Sequence, residues 1–528
     1  MKHLTFYLCL VLISYLTACQ LSNNDQTTQI EAPPISFNQD YKTPIFTNDD
    51  RIQKIQNAAV EFEKIFTDNA TNRKIPGIAY GVVVGDSLVV AGASGLLELE
   101  SKRPSSTTSA FRIASMTKSF TAMAIIKLRD EGKLSLEDPV SKYIPEVGQM
   151  GKLTEDAPTI DIENLLTMTA GFPEDNPWGD RQLEEKDEML IGLIEDGLSF
   201  STTTSTNYEY SNTGYAMLGH IVSEVSGMPY QEYIRQNIFQ ALGMNDTYWE
   251  FENVPEEKFA VGYRWEDDQW KTEPILHDGA FGAMGGLITT IEDFSKYVSF
   301  HLSAWPTRNG TDNGPISRAS LREMHSPQFP RLRSSGTDYK GDPCPSVTGY
   351  GFGLGIKMDC NGIKGISHGG ALPGYGSNYV FFPDYGVGVM AFGNLTYTGP
   401  LPRLGIETLL FKTLGLQPQE LPVSDILKKR AEEVVDLIQN WEPELEARIL
   451  AENFYLDQSR EHRMKQVKEV LDKSGVIQEV EPINPLNQLR GRFKMEGENG
   501  VVNVYFTLTP EKDPKVQDLE VWMEREDD

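Results

Sequence analysis

Phe111-Arg112-Ile113-Ala114-Ser115-Met116-Thr117-Lys118-Ser119-Phe120 runs straight into Thr121-Ala122-Met123-Ala124-Ile125-Ile126-Lys127-Leu128-Arg129, a stretch free of Gly and Pro and rich in helix formers. A helix beginning near Ser115 places that serine and Lys118 one turn apart on a face that also carries Ala122 and Ile125. A serine hydroxyl becomes a nucleophile at neutral pH only with a base in hydrogen-bond reach. A lysine part-buried among apolar neighbours, its pKa lowered, can be that base. The start of the helix adds unpaired N–H groups and the positive end of its dipole, which suit an oxyanion forming beside Ser115. An isolated Ser-x-x-Lys is usually a solvated surface pair. Here Ser115 alone among the serines has a lysine three residues on, and that lysine faces apolar positions.

The chain has 528 residues, too many for one simple core, so two or more domains are expected. Its 48 basic and 76 acidic residues leave a net charge of −28, which argues against nucleic acid or an anionic membrane surface as the main partner. Met1-Lys2-His3 and the apolar run from Leu4 to Leu16 read as a secretory signal peptide over residues 1–18, too short to span a bilayer. Leu16-Thr17-Ala18-Cys19 resembles a bacterial lipobox. That resemblance implies cleavage before Cys19, a diacylglyceryl anchor on its sulfur, and a place on the exported side of the cell envelope. Residues 19–46, polar and interrupted by Pro33-Pro34, read as a flexible tether.

With Cys9 in the signal segment and Cys19 in the lipobox, Cys344 and Cys360 remain. Export permits a disulfide between them, and two free buried thiols are the alternative. No zinc-ligand spacing occurs, and neither metal nor cofactor is expected.

Along the chain, Ile52, Ile55, Ala59, Phe62 and Phe66 step as one amphipathic helix. Ile78 to Val84 and Ser87 to Ala93, joined by Gly85-Asp86, predict a largely buried β-hairpin. Gly132 caps the helix behind Ser115. Residues 152–244 carry helical signals broken by Gly- and Pro-rich loops, and among them lies Tyr210-Ser211-Asn212, the one Tyr-x-Asn in the chain. A phenol and a carboxamide in one short loop can face a common cleft, the first relaying protons and the second binding lysine or a substrate carbonyl. Ala283-Met284-Gly285-Gly286 reads as a turn entering a helix capped by Thr289 or Thr290. Tyr350 to Ile356, Gly365 to Ala371, Asn378 to Phe382 and Val387 to Phe392 read as an antiparallel meander, and a helix over residues 401–414 closes the segment. Glycines beside His368 let a substrate backbone lie close along its strand. From residue 418 three helices and then four strands predict a separate α+β domain without a catalytic constellation.

Ser115-x-x-Lys118, Tyr210-x-Asn212 and His368-Gly369-Gly370, in this order, resemble the three motifs of the serine β-lactamase and penicillin-binding-protein superfamily. The branch most alike is the class C-like one, with DD-carboxypeptidases, D-aminopeptidases and esterases. Leu165-Leu166-Thr167-Met168-Thr169-Ala170-Gly171 is similar to a further stretch of that family, apart from Met168 and Ala170. The resemblance implies a β-lactamase-like α/β (α+β) fold: an antiparallel sheet flanked by helices plus an all-helical subdomain, over residues 47–417. It implies a serine hydrolase cleaving an amide or ester through an acyl-serine, with Ser115 as nucleophile and Lys118 and Tyr210 sharing acid and base roles. Asn212 would orient Lys118 and the substrate amide, and the N–H groups of Ser115 and Ala371 would form the oxyanion hole.

His368 stands where β-lactamases carry lysine, and no Lys-Thr-Gly occurs in the chain. A histidine is mostly neutral at pH 7, so demand for an anionic substrate should be weak and a peptidase or esterase is favoured. The alternative is a binding protein that is acylated by penicillin, or grips peptidoglycan peptides, without turnover. Titration of His368 and Lys118 is expected to give a bell-shaped activity profile. The partners expected are a small-molecule or peptide substrate and a membrane reached through the lipid anchor. Oligomeric state is left open.

Overall fold

The computed structural model describes residues 41–523. The signal segment, Cys19 and most of the expected tether lie outside them. The described chain forms two compact units, 43–422 and 423–523 with residues 41–42. The larger unit is built on a nine-stranded, wholly antiparallel sheet. Its spatial order is Arg103–Pro104, Ser87–Glu98, Gly77–Val84, Val387–Gly393, Tyr375–Phe382, Lys364–Leu372, Gly355–Asp359, Ser346–Tyr350 and Gln328–Arg333.

The alternation of a strand explains the layers. In Gly77–Val84, Ile78, Tyr80, Val82 and Val84 face a core shared with Ile55, Phe62, Phe66, Ile406 and Leu410. Ala79 and Val83 face the other core, which contains the helix Lys118–Asp130, the helix Asn212–Ser226 and the helix Ile291–Leu302. Phe66 stacks on Tyr80 with ring centroids 4.3 Å apart. Helix Lys118–Asp130 is buried from Lys118 through Ile126, the condition of a helix at the centre of a domain rather than on its surface. Gly132 follows it in the left-handed conformation with φ +70°. Residues 139–285 supply the mainly helical side, with short helices at Ile162–Leu166, Asp187–Glu195 and Tyr230–Ile234.

The sequence reading needs correction in several places. The first amphipathic helix is two, Arg51–Asn57 and Ala59–Asn72, and Ala58 rather than Ala59 packs inside, while Ile52 stays 43% exposed. The second strand of the hairpin extends to Glu98 and is largely exposed or half-buried, because it lies next to the sheet edge. Tyr350 to Ile356 is no strand: Gly353 at φ +72° turns the chain, so that Ser346–Tyr350 and Gly355–Asp359 pair as a hairpin. That turn lies against the helix start, where a Cβ on Gly353 would meet Ser119 Cα at 2.7 Å and Lys118 O at 2.9 Å.

Ile45 and Glu420 exchange backbone hydrogen bonds and Gln419 N–H donates to Asp384 O. The last tether residues and residues 418–422 therefore belong with the larger unit. Thr290 caps its helix as expected, its hydroxyl accepting from Asp293 N–H. Cys344 and Cys360 are joined as a disulfide across 16 residues, a loop closure worth about 3 kcal/mol through the unfolded chain.

In the smaller unit, helices Asp425–Asn440, Pro443–Ile449 and Arg460–Ser474 accompany a sheet of Ile477–Val480, Arg490–Gly497, Gly500–Leu508 and Val516–Met523. A further short strand, Asn484–Asn487, pairs with Arg490–Gly497 and was not expected. Strand Gly500–Leu508 buries Val502, Val504, Phe506 and Leu508 on one face against Leu427, Val434 and Leu437.

Candidate active site

Ser115 sits on a single 3-10 turn, Ala114–Thr117, and the α-helix proper starts at Lys118. Ala114 is held at φ +50°, a conformation that costs a non-glycine residue about 1 kcal/mol or more. Contacts on both sides impose it. Ile113 N–H donates to Leu287 O at 2.9 Å, Ser377 Oγ donates to Ile113 O at 2.7 Å, and Leu287 N–H donates to Thr117 Oγ1 at 3.2 Å. The nucleophile candidate is thus positioned by the sheet and by the Gly285-Gly286 turn, not by helix propensity.

Lys118 is fully buried, and its Nζ has three polar neighbours: Ser115 Oγ at 3.1 Å, Asn212 Oδ1 at 2.7 Å and Met284 O at 2.8 Å. An amide oxygen and a main-chain carbonyl can only accept. A neutral amine has two N–H bonds for these two acceptors and one lone pair, which is left facing the serine O–H. Burial lowers the Lys118 pKa from its ordinary value to about 7, with Asp180 and Asp175 opposing the shift. Such an amine is deprotonated in a large fraction of molecules at neutral pH, and its lone pair is aimed at Ser115.

Asn212 opens the helix Asn212–Ser226, capped by the Ser211 side chain. Its Nδ2 donates to Asn176 Oδ1 at 2.7 Å, which fixes Oδ1 toward Lys118. Asp175 accepts from Asn212 N–H at 2.7 Å and from Thr213 N–H at 2.8 Å, a carboxylate on the positive end of that helix. The Tyr210 ring lies 4.9 Å from Lys118 Nζ and 6.4 Å from the His368 ring. Burial raises its phenol well above the ordinary range, with the Ser115 hydroxyl opposing, so it stays protonated and can pass a proton on.

Strand Lys364–Leu372 pairs with Gly355–Asp359 only as far as Ser367, and His368–Leu372 runs on beside the Ser115 turn. Gly370 must be glycine at that approach: a Cβ would lie 2.0 Å from Ile113 O and 2.3 Å from Ser377 Oγ. His368 Nδ1 lies 2.6 Å from Gly369 O and Nε2 lies 2.9 Å from Tyr350 O–H. The carbonyl only accepts, so Nδ1 carries the hydrogen and Nε2 accepts from the phenol. Burial, with help from Lys118, lowers the His368 pKa to about 4. The imidazole is neutral across the working range, more firmly than an unperturbed histidine.

The motif residues therefore meet. Ser115, Tyr210, His368, Gly369, Gly370 and Ala371 line one cleft of about 600 Å³, and Lys118 and Asn212 stand behind Ser115 out of solvent. Asn176, Asp180, Asn378 and Tyr397 complete its walls. Sequence reasoning missed the Met284 carbonyl, the Tyr350 partner of His368, and Asn176 and Asp180. The glycine turn at 285–286 and the acidic, proline-containing loop 173–180 were the available signals. Among the described residues, no group of three His, Cys, Asp or Glu is placed to hold a metal ion.

The pH dependence expected from sequence changes accordingly. Lys118, lowered to about 7, must lose its proton to act, whereas His368 at about 4 and Tyr210 above its ordinary range fall outside the window. The expected kcat/KM profile is one ascending limb centred near pH 7 with a plateau above it, not a bell. Initial rates at limiting substrate from pH 5 to 10 measure this, and a profile flat over that range contradicts it.

The sequence profile of the family described as Beta-lactamase matches residues 62–411, more than half of the chain. Penicillin-binding protein 4* of Bacillus subtilis (strain 168) is 26% identical over 348 residues, which are 62% of this chain and 70% of that protein. Among solved structures, the octameric penicillin-binding protein homologue from Pyrococcus abyssi superposes with a TM-score of 0.54 at 21% identity, over 88% of this chain and 98% of its own. A class C beta-lactamase gives a TM-score of 0.53 at 19% identity, over 70% of this chain and 98% of its own. The larger unit thus has the β-lactamase-like fold that the motifs led one to expect.

Proposed function

Because this chain belongs to the beta-lactamase family, we propose that it is a serine hydrolase opening an amide or ester bond through an acyl-Ser115 intermediate, with peptidase or esterase preference. The observation that carries the reading is the Lys118 amine, whose two acceptors leave its lone pair for the Ser115 hydroxyl.

In the first step Ser115 Oγ attacks the substrate carbonyl carbon while its proton moves to Lys118 Nζ. The new ammonium rests on Asn212 Oδ1 and Met284 O. The carbonyl oxygen, now an anion, takes hydrogen bonds from the N–H groups of Ser115 and Ala371, each such donor being worth about 3 kcal/mol in the transition state. The proton then passes by way of the Tyr210 hydroxyl to the leaving nitrogen or oxygen, and the acyl-serine remains. A water molecule attacks that ester, gives one proton back through Tyr210 and Lys118, and Ser115 leaves as its hydroxyl.

The neutral His368 supports the preference for substrates without a carboxylate. An imidazole bonded to Gly369 O and Tyr350 O–H offers no cation to a penicillin or a D-alanine carboxy terminus. The lipobox at Cys19 supports an envelope lipoprotein. Among the described residues no helix is long and apolar enough to cross a membrane.

Intact-mass measurement after exposure to a fluorophosphonate, followed by a hydrolysis screen over short esters, D-amino-acid amides and penicillins, tests the proposal. One adduct on Ser115 together with multiple turnovers of an ester or amide is expected. No adduct at all sinks the hydrolase reading, and a penicillin adduct that persists without turnover of any substrate replaces it with a binding protein.

A further inference from the structure

One side chain on the cleft wall has no role in the steps above. Asp180 lies in the short 3-10 turn Gly179–Arg181, is 2% exposed and lines the same cleft as Ser115. Its Oδ1 has no hydrogen-bond partner among the described residues. A buried carboxylate oxygen without a donor is costly, so a carboxylate kept there in a substrate cleft points to a donor that arrives with the substrate.

The groups around it are already engaged. The nearby Asp175 carboxylate caps the helix at Asn212 and Thr213. Lys118 spends its N–H bonds on Asn212 and Met284 and attracts Asp180 only through space. Burial raises the Asp180 pKa above its ordinary value, while Lys118, the adjacent Tyr397 phenol and Arg181 oppose that shift. Across the cleft residues, the titratable groups are then a neutral histidine, protonated phenols and this acid, so Asp180 is the one carboxyl among the residues that line the cavity.

We infer that Asp180 is a specificity-determining residue that receives the protonated amine of the substrate, so that the preferred substrates are esters or amides carrying a primary ammonium close to the scissile carbonyl. The ammonium has three N–H donors. Asp180 Oδ1 takes one, and the Tyr397 phenolic oxygen and the second lone pair of Asn176 Oδ1 stand on the same wall for the others. The inference rests on the serine-hydrolase reading and narrows it, since an amine on the substrate is the counterpart of a cleft that lacks a cation for a carboxylate.

The competing role for Asp180 is indirect: its charge raises the Lys118 pKa, and the substrate never touches it. Two substrates separate the roles. D-alanine methyl ester carries the ammonium, and methyl propionate lacks it. In a pH-stat at pH 7 the wild-type protein is expected to favour the first in kcat/KM by about tenfold or more, the worth of a hydrogen bond to a charged group. Asp180→Asn is expected to bring the ratio of the two kcat/KM values to about one, with the loss on the amine-bearing ester. A ratio unchanged in the variant, whether both rates fall together or neither falls, overturns the inference in favour of the indirect role. Fluorophosphonate labelling of Ser115 is run on both proteins. A labelled wild type with no preference for the amine sinks the subsite and leaves the hydrolase; an unlabelled wild type sinks both. Labelling of Asp180→Asn shows that the variant is folded.

Discussion

Ser115→Ala is expected to lower kcat/KM about 10⁴- to 10⁶-fold for every ester or amide the protein turns over, and to abolish the fluorophosphonate adduct. The size of the effect follows from the cleft lining, where among the described residues no serine, threonine or cysteine other than Ser115 stands. Ser119, one turn further on, is fully buried; its hydroxyl donates to Met116 O at 3.0 Å and accepts from Tyr297 O–H at 2.8 Å. It belongs to the core beneath the helix, and no substrate carbonyl reaches it. The variant should fold, because alanine removes one oxygen from a residue whose backbone is held by its neighbours Ile113 and Thr117. Circular dichroism with stopped initial rates is enough to judge it. Residual activity above about one hundredth of wild type would mean that the acyl group is carried elsewhere.

Lys118→Arg and Lys118→Met should both reduce kcat by about 10³-fold, and the arginine variant is the more informative. It keeps a cation in the same place, but a guanidinium stays protonated at every accessible pH and has no lone pair to receive the serine proton. If Lys118 served only to hold charge near an oxyanion, arginine would retain much of the rate. As the base, it cannot be replaced, and the ascending limb near pH 7 should vanish with it. The methionine variant separates folding from chemistry. It follows the path of the buried lysine stem and removes the desolvated amine, at the cost of leaving Asn212 Oδ1 and Met284 O without their donor. Lys118→Arg with a pH limb near 7 and a rate close to wild type would overturn the assignment of the base.

Much of this could be read from residues alone. The Gly- and Pro-free run from Thr121 onward marks a helix. The β-branched runs at 78–84 and 387–392 mark the centre of the sheet, where their paired registers now lie side by side. Ser-x-x-Lys, Tyr-x-Asn and His-Gly-Gly name the residues that line or back the cleft, because spacing within a helix or loop is a local property that the sequence carries directly. The places where the pattern misled are those where a distant neighbour overrides a local preference. Ala58 interrupts an otherwise continuous helix, and Gly353 turns a β-like run at the point where the chain meets Lys118 O. Ala114 adopts φ +50° because the sheet and the glycine turn both grip Ile113.

Residue types and their spacing name the side chains able to carry the chemistry, their order along the chain, and the helix and strands that hold them. Their protonation states come from the folded surroundings. In the proposed mechanism Lys118 acts as the base because burial and two acceptor oxygens, one of them a main-chain carbonyl 166 residues away, leave it one lone pair. His368 is neutral because burial, with help from Lys118, lowers its pKa to about 4, and Asp180 is a candidate specificity group because its Oδ1 was left without a donor on a cleft wall. A protonation state is set by desolvation and by partners within a few ångströms in space, and neither quantity is written in the order of residues along a chain.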